Sequence, residues 1–279
     1  MSFLWALKRI TAVLGMILLI AVGSYFYAIS PHHTWAPAES ADGLLGRADT
    51  LAWGNLWVPA APLYAKAQRL FVAENRPDKA LYAEVSQVPP DESGSVRAKI
   101  LQLTRDLAQP VAQNAETRLR ILTIRGMLET NYDAAQARAT WGDVKTLALK
   151  QGHLELATRA EGEQGIAAFY LGDTETAKKL VVRAWELSKV ERDPAATIRY
   201  ASVFGAGLVQ LRRYKEALTP LDQAIKIAGS NSALAYPSIA VYAKIDALTG
   251  LKQYDSALGL ANASLARLQG TVYRSEDVV

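Results

Sequence analysis

Arg159 and Arg199 are the residues of this sequence best suited to recognise a ligand. They occupy the same register in successive copies of a repeating pattern. Each carries a planar guanidinium that can grip a carboxylate through two parallel hydrogen bonds. Side by side, the two would hold a carboxylate or an acidic peptide. The competing use is internal: capping neighbouring helices, or pairing with Glu161 and Glu163.

Residue types for catalysis are sparse. The chain has no Cys, which excludes disulfides, thiolate nucleophiles and Cys-ligated metals. Its three His are His32, His33 and His153. The first two are adjacent in a Pro-containing stretch and have no third ligand nearby. His153 follows Gly152 and tops a predicted helix. Gly205-Ala206-Gly207 lacks the third Gly and the preceding strand of a phosphate loop. There is no Gly-x-Ser-x-Gly elbow and no His-Glu-x-x-His pair. Asn262-Ala263-Ser264 fits a glycosylation sequon but falls inside a predicted helix. The expectation is a chain that is not an enzyme and uses no metal or cofactor.

The elements that must position the two Arg are helices. Half of the 279 residues are apolar, and Ala is abundant. That composition suits closely packed helices. The 31 basic and 27 acidic residues give a net charge of +4, without the basic stripe of a nucleic-acid binder. Three segments align: Leu171 to Ala177, Leu211 to Ala217, and Leu251 to Ala257. Their fixed offset of about 40 residues signals stacked helical hairpins. Small residues recur in the same register. Gly165 and Gly205 lie mid-way in the first helix of a unit. Ala177, Ala217 and Ala257 open the second, with Ala184 and Ala224 two turns further on. Upstream, a slightly longer offset of about 42 residues, still within the range of helical repeats, reaches Tyr132 and Ala135. Gly inside a helix costs up to about 1 kcal/mol relative to Ala, so its recurrence points to close backbone contact.

These residues resemble the tetratricopeptide repeat. Gly165 and Gly205 match its small helix A position. Tyr132, Tyr214 and Tyr254 match the turn aromatic, and Ala135, Ala177, Ala217 and Ala257 the Ala that opens helix B. The period, about 40 to 42, departs from the family's 34. The large aromatic of helix A is missing at Glu161 and Ala201, and the third copy has Ile245 where Gly is expected. The resemblance covers about 112–268, in four units, and is to a long-period variant. It implies an all-α, right-handed superhelical solenoid of antiparallel hairpins with a concave face lined by helix A. It also implies that Arg120, Arg159, Glu163, Tyr170, Arg199, Gln210, Tyr242 and Asp246 face a protein or peptide partner. The family's Lys and Asn clamp for C-terminal carboxylates is not matched, so no particular ligand follows.

Ile10 to Ile29 is free of charge throughout, long enough for a helix to cross roughly 30 Å of hydrocarbon. Lys8 and Arg9 precede it and would keep the N-terminus cytoplasmic. The alternative is a signal peptide cleaved near Ala36-Pro37-Ala38. The expected organisation is a cytoplasmic 1–9, a transmembrane helix at 10–29, a linker at 30–59, a degenerate hairpin region at 60–111, repeats at 112–270 and a tail at 271–279. Ser275-Glu276-Asp277 reads as a helix N-cap with an acidic first turn. The expected function is a membrane-anchored scaffold whose repeats bind a protein or peptide partner in the periplasm or outside the cell. The alternative is a sensory or regulatory arm of a larger signalling protein.

Overall fold

A computed structural model describes residues 39–87 and 96–268. Their helices are α1 (Ala41–Trp53), α2 (Trp57–Ala73), α3 (Pro77–Val85), α4 (Val96–Asp106), α5 (Ala115–Thr130) and α6 (Ala134–Gln151). They continue as α7 (Leu154–Tyr170), α8 (Thr174–Val190), α9 (Pro194–Gln210), α10 (Tyr214–Gly229), α11 (Ser238–Gly250) and α12 (Tyr254–Leu268). A short 3-10 turn, Pro110–Gln113, precedes α5. From α5 onward each helix packs on the next, and the opening helices α5, α7, α9 and α11 also touch one another in succession. The result is an all-α body consistent with a helical solenoid.

The expected membrane-spanning element is corrected. Among the described residues no helix is long and apolar enough to cross a membrane, and the segment 10–29 lies outside the described residues. The stretch 30–59 is also more than a linker. Ser40 accepts a hydrogen bond from the Gly43 N–H and caps α1. Leu44, Leu45 and Ala48 of that helix are buried against α2. The tail 271–279 lies outside the described residues.

The second helices of the hairpins keep strict time. They begin at Ala134, Thr174, Tyr214 and Tyr254, evenly spaced along the chain. Ala137, Ala177, Ala217 and Ala257 are the buried openers. The longer offset to Ala135 is therefore corrected: Ala135 is exposed, and Ala137 holds the common register. Asp133 and Asp173 cap the first two of these helices through the Gln136 and Thr176 N–H groups. Three of the four turns share a device. Gly172, Arg212 and Lys252 all adopt left-handed backbone, with φ of 80°, 56° and 60°.

The small residues mark where helices touch. A Cβ on Gly165 would meet Val181 Cγ2 at 2.9 Å, and one on Gly205 would meet Leu221 Cδ2 at 2.5 Å. In the first unit the same contact is made by Gly126 against Trp141, at 2.8 Å. Ala184 and Ala224 are fully buried one turn further along. Trp141, Val181 and Leu221 thus form one column, each seated on a Gly of the preceding helix.

Candidate functional site: the cleft beneath the first hairpin

The opening helices of the hairpins, α5, α7, α9 and α11, line a concave cleft of about 850 Å³. The size falls in the range of ligand pockets, roughly 300–1,000 Å³. The corner between α1 and α2 also lines it, contributing Trp53 and Asn55.

Arg159 projects from α7 and is fixed on both sides. Its Nε and Nη2 donate to the two carboxylate oxygens of Asp193 at 2.7 and 2.8 Å. Asp193 is buried and also caps α9 through the Ala196 N–H. Arg159 Nη2 donates again to the Trp53 carbonyl at 3.0 Å, and its guanidinium carbon lies 3.6 Å from the centroid of the Trp53 ring. Beside it, the Gly54 carbonyl accepts from the Ala235 N–H at 3.0 Å. The corner is therefore bound by its ring and by two successive carbonyls.

Arg199, one hairpin on, donates through Nε and Nη2 to Glu163, the second bond at 2.6 Å. Tyr200 donates to the Arg159 carbonyl at 2.7 Å and approaches Glu163 at 3.3 Å. Burial, with Glu163 nearby, pushes the Tyr200 phenol well above its ordinary value of 10. The two guanidinium groups do not join in one clamp. Each is neutralised by its own carboxylate, and Glu161 instead faces Lys145 and Arg183.

Arg120 is a wall residue of the cleft. It donates to Ser86 Oγ at 2.7 Å and to the Tyr64 hydroxyl at 2.5 Å. Its guanidinium is 5.2–5.4 Å from the ring centroids of Trp57, Tyr64 and Tyr82. Asp49 of α1 accepts from both tyrosine hydroxyls and lies 3.7 Å from Arg120. Cation–π contact and forked donors together tie the first three helices to the repeats. Burial pushes the Tyr82 phenol up to about 12, with Arg120 opposing and Asp49 adding.

Tyr170, at the end of α7, lines the cleft and is well exposed. Gln210, Tyr242 and Asp246 do not line it. Aromatic residues not anticipated from the sequence do so: Trp53, Trp57, Tyr82 and Tyr236. The pair Trp53 and Trp57 inside the expected linker is the signal that could have found them. Among the described residues no three His, Asp or Glu are grouped as a metal site. No protein-family model matches the chain, and no curated protein compared with it matches in sequence.

Proposed function

We propose that the chain is a tetratricopeptide-like scaffold whose cleft binds a short segment of a partner protein through apolar and aromatic side chains. One observation carries this reading: the cleft is aromatic-lined while its Lys and Arg side chains are already paired. Tyr170 and Ile239 are 58% and 46% exposed at its wall, where a large apolar side chain gains most from leaving water. Arg159, Arg199 and Lys79 each have a carboxylate partner, namely Asp193, Glu163 and Glu116. An acidic peptide would have to break such pairs, so a segment anchored by apolar and aromatic side chains is favoured over the acidic ligand expected from two adjacent Arg. The register of buried small residues supports the scaffold reading, since stacked hairpins produce a continuous binding surface.

A displayed random-peptide library tests this. Selection on the wild-type protein, with counter-selection on Tyr170→Ala combined with Ile239→Asp, is expected to enrich peptides with aromatic or aliphatic anchors. Enrichment of acidic peptides, or none that depends on these two residues, would remove the proposal.

A further inference from the structure

The corner Trp53-Gly54 is held on the inner face as a bound peptide would be. A guanidinium carbon lies over its indole, and its two consecutive carbonyls are taken by Arg159 Nη2 and by the Ala235 N–H. The platform beneath has its own supports, independent of the corner. Arg159 is clamped through two bonds to the buried Asp193, and its carbonyl accepts from Tyr200. The site also demands glycine after the aromatic residue. A Cβ at position 54 would stand 2.6 Å from the Ala233 backbone oxygen, a separation that side chains do not tolerate. Trp53 nevertheless stays 38% exposed, so its ring is only partly covered.

From these contacts we infer that the Arg159 platform is a recognition site for an aromatic–glycine corner of a partner protein, and that the chain's own Trp53-Gly54 occupies it in the free state. The inference deepens the peptide-binding reading and rests on it. The chemistry is specific. A flat π-face meets the guanidinium, a carbonyl meets the Nη2 hydrogen that Asp193 leaves free, and a residue without Cβ passes under Ala233. A partner must displace the internal corner. Its apparent affinity is lowered by the small fraction of chains in which the platform is vacant.

The probe is a synthetic peptide copying residues 51–57, acetylated and amidated, with a fluorescent label read by polarisation. It is titrated into wild type, Trp53→Ala and Gly54→Ala, each checked for helical content by circular dichroism. Trp53→Ala leaves the platform vacant, and the peptide is expected to bind it about tenfold or more tighter than wild type. Gly54→Ala drives the corner off Ala233 without removing any recognising group, and should shift binding in the same direction. It keeps the test decisive if Trp53→Ala is poorly folded. Adding Arg159→Lys to Trp53→Ala should abolish the gain, because an ammonium cannot supply the fork and the flat face together. A peptide carrying Trp53→Ala should not bind. Equal binding to all proteins, binding of the altered peptide, or no binding to either vacated variant overturns the inference. If library peptides still bind through Tyr170 and Ile239 in that last case, the general cleft reading survives and only this one falls.

Discussion

The Trp53 ring and the Arg159 guanidinium are stacked 3.6 Å apart although 106 residues separate them in the chain. The stack joins the first hairpin to the second repeat unit. It also gives Arg159 a second role beside its fork to Asp193. Removing Asp193 should therefore be costly. It leaves a largely buried guanidinium unpaired and an uncapped α9. Asp193→Ala is expected to destabilise the fold by roughly 3–5 kcal/mol, measured by urea denaturation. A loss under about 1 kcal/mol, the range of exposed pairs, would show that the pair is solvated.

Gly205 and Gly207 lie close together in α9 and should respond in opposite directions to alanine. A Cβ on Gly205 runs into Leu221, whereas one on Gly207 meets nothing within 4 Å. Gly205→Ala should cost about 1–3 kcal/mol through overpacking. Gly207→Ala should stabilise by roughly 0.5–1 kcal/mol by restricting the unfolded chain. Thermal melts of the two variants against wild type check the sign of each.

Two of the turns within hairpins place long side chains where the left-handed backbone is strained. Arg212 and Lys252 occupy the position that Gly172 holds one unit earlier. Arg212→Gly and Lys252→Gly should each stabilise by about 0.5–1 kcal/mol, relief of the left-handed penalty outweighing glycine's added unfolded-state entropy. Gly172→Arg should do the reverse. Denaturation midpoints of the three variants decide it.

Three tyrosines should report on alkaline unfolding. Burial raises the phenols of Tyr64, Tyr82 and Tyr200 above the ordinary value of 10, Tyr82 to about 12. The folded chain thus holds protons that the unfolded chain has released. Stability from this source is complete below pH 10 and is lost as pH rises through the folded values. In a base titration, tyrosinate absorbance in the near ultraviolet should rise in a phase above pH 10 that coincides with loss of helical circular dichroism. A single phase near pH 10 with helices intact would contradict the packing described around Arg120 and Arg159.

The sequence is most readable where structure is local. Ala177, Ala217 and Ala257 mark their helices because the same hairpin contact is repeated at a fixed spacing. In the first unit the register settles on Ala137 and not on Ala135, for a local reason too. Ala134, Ala135 and Ala137 all fall in the helix's first turn, and only packing against the neighbouring helix selects Ala137. Gly126 is hidden from the pattern because it falls one position out of step with Gly165 and Gly205. The cleft is less legible. Arg120, Arg159 and Glu163 do reach its wall, but their partners Tyr64, Trp53 and Arg199 come from other helices. No spacing rule connects residue 64 to residue 120. The two Arg that suggest one clamp are two separate ion pairs because each meets a carboxylate of the other's hairpin, Arg159 with Asp193 and Arg199 with Glu163.

The bond from Ala235 N–H to the Gly54 carbonyl has a consequence for how the molecule comes apart. An open stack of hairpins can fray from its ends, since each unit answers only to its neighbours. Here the α10–α11 connection, near one end, is fastened to a residue near the other. Peeling away α11 and α12 would first have to break this tie between positions 54 and 235. The array should lose its amide protection as one block, at the cost of slower folding through so distant a closure. Cutting that fastening, as Gly54→Ala is expected to do, would convert a single all-or-none transition into stepwise melting from the C-terminal hairpin.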